Sequence, residues 1–188
     1  MVRWEPGAQQ RLHAAALDLY AERGFEQTTA ADVAQSVGLT ERTFFRCFAD
    51  KREVLFAGQE HFQQIFLDGV AAAPDDAAPL EVVALALRAA TAFFPDERRG
   101  HSRLRDSVIS ANPGLQEREL LKMAALSEAI ADALRARGVS EPQAVLAART
   151  GVTVFSVSYR RWMAPDESRP LAEVQAATFA DLRTLADV

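Results

Sequence analysis

Apolar residues recur along this chain at the three-to-four spacing of helices, with Gly and Pro falling largely between the periodic segments. From Ala8 to Arg23 the stripe is Leu12, Ala15, Ala16, Leu19 and Tyr20; Gly24 stands where a left-handed helix C-cap is expected and Phe25 can fold back onto the helix. Thr29 followed by Asp32 reads as a capping box, Val33, Ala34 and Val37 face a core, and Gly38 turns the chain. Thr40 is a second N-cap, opening Glu41 to Phe48 with Phe44 and Phe48 on one face. Thr40, Glu41, Arg42, Thr43, Phe45 and Arg46 are left off the core face. Two short helices around a Gly turn are the layout of a helix-turn-helix, whose second helix can enter a DNA major groove.

The same pattern predicts a longer helical body. Asp50 to Glu53 repeats the capping signal and starts a fourth helix running through Val54, Leu55, Phe62, Ile65, Phe66 and Val70 to the loop AAAPDDAAP. There Asp75 and Asp76 read as a solvated turn, with no ligand cluster to make them a metal site. Leu80, Val83, Leu87 and Phe94 define a fifth helix closed by Pro95. Gly100 is expected to break the irregular stretch before a short sixth helix from Arg103 to Ala111, and Asn112 with Pro113 opens a seventh to Arg137, with Gly138 as C-cap. The eighth runs from Ser140 to about Met163 and is apolar on two sides: Ala148, Val152, Phe155, Tyr159 and Trp162 on one, Leu146, Thr150, Thr153, Val154 and Val157 on the other. A helix apolar on both sides needs cover on both, and a second subunit is the simplest second cover. Leu171 to Leu185 forms a last helix with Val174, Ala177, Thr178, Leu182 and Leu185 as its stripe. The fold class is all-α, with about nine helices.

Charge changes the picture little. The net charge of −5 argues mildly against nucleic acid, but up to Arg52 seven basic residues balance seven acidic ones, and the surplus of 19 acidic over 14 basic lies beyond. Phosphate contacts need a few well-placed cations rather than a basic domain. Cys47 is the single cysteine, so no intramolecular disulfide forms. The first residues, with Arg3, Glu5 and Pro6, form a short polar arm without the apolar core of a signal peptide, and no apolar run approaches a membrane span; no membrane association and a cytoplasmic location are the expectation.

GFEQTTAADVAQSVGLTERTFFRCFADKREVLF, within residues 11 to 56, resembles the DNA-binding domain of the TetR family of bacterial transcriptional regulators. The matching features are the Gly-Phe after the first helix, the paired threonines, the Gly-Leu-Thr turn, the aromatic-rich recognition helix and the Lys before the fourth helix. The resemblance implies a DNA-binding domain over residues 1–52 and a helical regulatory and dimerisation domain over 53–188. It implies phosphate contacts at Thr29 and Lys51, and groove contacts from Thr40, Arg42, Thr43, Phe45 and Arg46. Where Phe45 and Cys47 stand the family commonly has Tyr and His, so two polar phosphate contacts are missing and Arg42 and Arg46 gain weight.

In that family the last two helices form an isologous dimer interface and a pocket lies inside the helices before them. The resemblance therefore implies a homodimer on a palindromic operator, with Leu146, Thr150, Thr153, Val157, Val174, Ala177 and Leu182 at the interface. A small apolar or amphipathic effector is expected against Phe62, Phe66, Phe93, Arg105, Met123, Phe155, Tyr159 and Trp162, with Phe94 and Val108 as further candidates. His101, Arg103 and Arg105 are either a site for an acidic ligand group or a solvated basic patch. The segment RLRDSVISANPGLQERELLKMAALSEAIADALRARG is similar to the body of actinobacterial regulators related to those of mycofactocin clusters, some of which respond to acyl thioesters.

The leading function is a ligand-released repressor without cofactor or metal. A regulator that activates, or that answers to a protein, is the alternative within the same fold. A helical enzyme is disfavoured, since His13, His61 and His101 are scattered and no HExxH, GxSxG or Gly-rich phosphate loop occurs. A helical protein-interaction module is the remaining alternative.

Overall fold

The computed structural model describes residues 7–186; the N-terminal polar arm lies outside them. Nine α-helices and no strand occur among the described residues: α1 (Ala8–Arg23), α2 (Ala30–Ser36), α3 (Glu41–Cys47), α4 (Gln59–Ala71), α5 (Pro79–Ala90), α6 (Arg99–Ser110), α7 (Pro113–Ala136), α8 (Glu141–Trp162) and α9 (Leu171–Ala186). None is long and apolar enough to cross a membrane.

The helices divide into two compact units. The head unit reaches up to Gln59 and takes in Arg103–Glu117; the body is Glu60–Ser102 with the chain from Arg118 onward. The head core gathers Leu12, Leu17, Tyr20, Val33 and Phe44 with Val54 and Leu55, and also Val108, Ile109 and Leu115 from the later segment. Burial of each of those three later residues stabilises the unit by about 1.5–3 kcal/mol. The body core is built from α4, α5, α7 and α8, around Phe62, Phe66, Val83, Leu87, Ile130 and Phe155.

Three boundaries depart from the periodic reading. The fourth helix does not begin at Asp50. Asp50 Oδ1 does accept from the N–H groups of Arg52 (2.7 Å) and Glu53 (3.0 Å), but the element it opens is a single 3₁₀ turn, Glu53–Phe56. That turn buries the consecutive residues Val54, Leu55 and Phe56, which one face of an α-helix cannot do. Gly58, at φ 87°, then ends it before α4 starts. The fifth helix becomes a 3₁₀ turn, Thr91–Phe93, ahead of Pro95, because the residue before a proline is driven out of the helical region. Gly100 breaks nothing: it sits in the first turn of α6, where backbone N–H groups have no helical partner to lose.

Two glycines inside helices permit close approaches in the body. A Cβ on Gly69 of α4 would stand 2.7 Å from Ala86 Cα of α5, and one on Gly151 of α8 would stand 2.2 Å from Val83 Cγ1.

Candidate functional site

In the head, local chemistry fixes each short helix. Thr29 Oγ1 accepts from Asp32 N (3.1 Å) while the Asp32 carboxylate accepts from Thr29 N (2.8 Å) and the Thr29 hydroxyl (2.6 Å), a reciprocal capping box. These bonds from the Thr29 hydroxyl and N–H hold the Asp32 carboxyl below the usual carboxylate range. Gly38, at φ 69°, lets Leu39 N reach back to Ala34 O (2.8 Å), which closes α2 and aims the chain into α3. Thr40 caps α3 by accepting from Thr43 N (3.3 Å), and the two hydroxyls lie 3.0 Å apart.

Phe44 and Phe48 anchor α3 in the head core, 0% and 5% exposed, with their ring centres 5.4 Å apart. The opposite side carries Arg42, Phe45 and Arg46, at i, i+3 and i+4. All three are exposed, and neither arginine has a polar partner among the described residues. Phe45 is 51% exposed, an apolar ring left in water at the centre of a basic strip. Cys47 is half-buried against the head core.

Lys51 is differently employed. Its ammonium donates to Phe25 O (2.9 Å) and Thr28 O (3.4 Å), lies 4.2 Å from the Phe25 ring centre and 3.8 Å from a Glu26 carboxylate oxygen. It thus clamps the turn between α1 and α2. Tyr20 completes this clamp by donating its hydroxyl to Lys51 O (2.9 Å), and burial, with the Asp50 charge behind it, pushes that phenol's pKa up. Partial burial pushes the Asp50 carboxyl up, but the bonds from Arg52 and from the Glu53 and Arg52 N–H groups outweigh it and hold it low. A groove of about 330 Å³ lies between this turn and α6, bordered by Tyr20, Phe25, Gln27, Val108 and Asn112.

In the body the aromatic candidates come together as one packed series of rings. Phe62 meets Phe66 (4.9 Å), Phe93 (5.4 Å), Phe94 (5.3 Å) and Phe155 (5.2 Å); Phe155 stacks on Tyr159 (5.5 Å), and Tyr159 leads to Trp162 (5.7 Å). Met123 packs against the same cluster. Two candidates are not there. Arg105 belongs to the head unit, where its Nε donates to Leu55 O (2.9 Å) and its guanidinium covers the Phe56 ring at 5.1 Å; Val108 is part of the head core. Their register on α6 is helical, but no local signal tells which core a helix shared by two units will serve. His101 is likewise separated from Arg103 and Arg105 by the unit boundary.

The interface candidates divide as well. On α8, Leu146 is 66% exposed and Val157 48%, with Thr150 and Thr153 between them and Thr153 exposed. Val154 instead is buried in the body. On α9, Ala177 and Leu182 are half-buried, and Val174 is completely buried beside Trp162 in the chain's own core, so it presents nothing to a second subunit. A stripe read from periodicity does not say which of its members the chain covers by itself.

One polar network escapes sequence reading because its members lie 66–70 residues apart. Arg99 Nη2 donates to Asp96 Oδ1 (2.7 Å) and Arg169 O (2.7 Å), and Nη1 donates to Glu167 O. The Trp162 indole N–H donates to the same Asp96 oxygen (3.1 Å). Glu167 accepts from Arg169 N (3.0 Å), Nε (2.9 Å) and Nη2 (2.6 Å), which brings its carboxyl down to about 2. The α8–α9 loop is thereby tied to the start of α6.

Two family models match different stretches of the chain. Residues 12–57 match the model of bacterial regulatory proteins of the tetR family, and residues 77–186 match that of the MftR C-terminal domain. The chain is 30% identical over 173 residues to the mycofactocin biosynthesis regulator named MftR of Mycobacterium tuberculosis, covering 87% of this chain and 83% of that one. It is 35% identical over 92 residues to the transcriptional regulator TcmR of Streptomyces glaucescens, a match confined to 45% of this chain and 41% of TcmR. Among solved structures, FadR of Thermus thermophilus, a TetR-family repressor in complex with lauroyl-CoA, shares the fold at a TM-score of 0.56, with 24% identity and 93% of each chain covered. A helix-turn-helix head with this capping, joined to a body matched over most of its length, makes the chain a transcriptional regulator belonging to the TetR family.

Proposed function

We propose that the protein is a homodimeric repressor that holds a palindromic operator through α3 and releases it when a small, largely apolar molecule enters the body. The observation that carries the DNA half is the exposed strip of Arg42, Phe45 and Arg46 on a helix whose other side is locked by Phe44. Thr40 and Thr43 flank it, already oriented by the cap. Arginines without intramolecular partners are free to meet phosphates or guanine edges, and Phe45 suits a thymine methyl or a sugar. Thr29 and Lys51, with their polar groups engaged in the cap and the turn clamp, hold the head in shape and add at most a secondary phosphate contact.

Dimerisation is supported by the line of exposed Leu146, Thr153 and Val157 with half-buried Thr150 on α8, which repeats every three to four residues as a helix-packing seam does. An isologous pairing there, with Ala177 and Leu182 of α9 beside it, places two heads on two half-sites. Ligand release is supported by the aromatic cluster and by FadR, a protein of this fold seen with lauroyl-CoA. For release, the ligand has to favour the arrangement that does not fit the operator over the one that does.

The test is a gel shift of the purified protein on the DNA upstream of its own gene, with Arg42→Ala and Arg46→Ala alongside. Each substitution is expected to weaken specific binding at least tenfold without lowering the melting temperature. Absence of a specific shift by the wild type at moderate salt refutes the reading.

A further inference from the structure

One polar side chain of the body is enclosed and makes no hydrogen bond. Gln175 of α9 is 3% exposed, and its Nε2 has no acceptor among the described residues. An enclosed donor left without an acceptor carries its full desolvation penalty, so such groups are rare and call for an explanation. The neighbouring buried hydroxyls avoid it locally: Thr178 donates to Val174 O (2.9 Å) and Ser158 to Val154 O (2.6 Å). The Gln175 amide makes no such bond among the described residues.

Its place on α9 tells what it faces. Leu171, one turn before, packs with Trp162; Phe179, one turn after, packs against the cluster of Phe62 and Phe155. Gln175 therefore lies on the seam between the two apolar groups, which Phe94 bridges, 4.9 Å from Tyr159 and 6.3 Å from Trp162. A second donor borders the same tryptophan. Arg99 Nε also lacks an acceptor, while its guanidinium carbon sits 5.1 Å from the indole ring centre. Both groups are N–H donors, so the partner each lacks is an acceptor.

We propose that Gln175 is an effector-binding residue, whose amide N–H receives a carbonyl or carboxylate oxygen of an otherwise apolar molecule entering along the Phe94–Trp162 seam, with Arg99 Nε as second donor. This rests on the regulator reading above and assigns it a recognition group. The inner part of the seam is closed here, with Trp162 at 0% and Phe62 at 4% exposure, while Phe94 and Tyr159 are half-buried. Entry requires the rings to turn, so the effector selects an opened body, which is the differential binding that release needs.

The test uses the full-length protein, followed by tryptophan fluorescence and thermal melting during titration with methyl octanoate, octanoate and octylamine. The wild type is expected to bind the ester or the carboxylate and to disregard the amine, which serves as the control for a rotated amide. Ester over carboxylate identifies a neutral carbonyl; the reverse identifies a charge taken up by Arg99. Gln175→Leu is expected to melt a few degrees higher without probe and to bind the acceptor probes at least tenfold more weakly, and Gln175→Met to do the same. Unchanged affinity in both variants, preference for octylamine, or no binding of either acceptor probe by the wild type overturns the proposal. A probe-free gel shift on the upstream DNA runs in parallel: a retained shift with any of those outcomes sinks Gln175 alone, and a lost wild-type shift sinks the regulator reading.

Discussion

Gly151 offers the sharpest test of how the body is packed. A methyl group at this position would lie 2.2 Å from Val83 Cγ1, 3.6 Å from Leu87 Cδ1 and 3.7 Å from Val83 Cβ. Carbon atoms in contact prefer about 3.5–4.0 Å, so only the first of these is a clash, and Val83, at 0% exposure, has no room to retreat. Overpacking of this kind costs about 1–3 kcal/mol, against about 1 kcal/mol gained by replacing Gly with Ala inside a helix. Gly151→Ala should therefore lose up to about 2 kcal/mol in the wild-type background. With Val83→Ala the offending methyl is gone, the remaining distances are ordinary, and the same change should gain up to about 1 kcal/mol. Chemical denaturation of the four proteins, at one protein concentration because assembly adds to stability, measures a coupling of about 1–3 kcal/mol. If Gly151→Ala has the same effect in both backgrounds, or stabilises the wild type, the close approach of α5 and α8 is not what requires glycine.

Two further outcomes test the head and the loop. Lys51→Met removes the ammonium from Phe25 O and Thr28 O and should cost the head about 1–3 kcal/mol in thermal melting. It should leave the salt dependence of operator binding unchanged; a slope reduced by about 0.9 per protomer would instead make Lys51 a primary phosphate contact. Glu167 has its pKa lowered from 4.5 to about 2, so its stabilising effect is complete above pH 4.5 and disappears as pH falls through about 2. The difference in melting temperature between wild type and Glu167→Gln should accordingly shrink from pH 4.5 downward; a difference that grows in acid contradicts the Arg169 pairing.

What the sequence discloses about this protein is what neighbouring residues decide among themselves. Thr29 with Asp32, Thr40 with Thr43, and Gly38 after its helix all act within a few positions and take the expected role, while Gly24 ends α1 at φ 88° but with ψ 147°, outside the left-handed helical region expected of it. The separation of Phe44 from Phe45 and Arg42 from core follows from helical phase alone. Periodicity fails where three consecutive residues are buried, as at Val54–Phe56, and where two cores compete for one helix, as at Arg105 and Val108. The exposed side of α3 is legible because it is what the core leaves over. The Arg99 network is not, since its partners are brought together only by the completed body. Gly69 and Gly151 lie inside apolar helices with no sequence signal for their role, and only the packed structure names Ala86 and Val83 as the reason for glycine there.

The presence of Val108, Ile109 and Leu115 in the head core bears on how this protein is made and on how it can be recombined. A ribosome that has delivered only the first sixty residues has delivered a helix-turn-helix with part of its floor missing. The unit can close only after Leu115 has emerged, by which time α5 and α6 are already outside as well. A chimaera that transplants the N-terminal fragment alone onto another regulator would leave the head core without Val108, Ile109 and Leu115. The transferable cassette is a discontinuous one, the N-terminal stretch together with Arg103–Glu117.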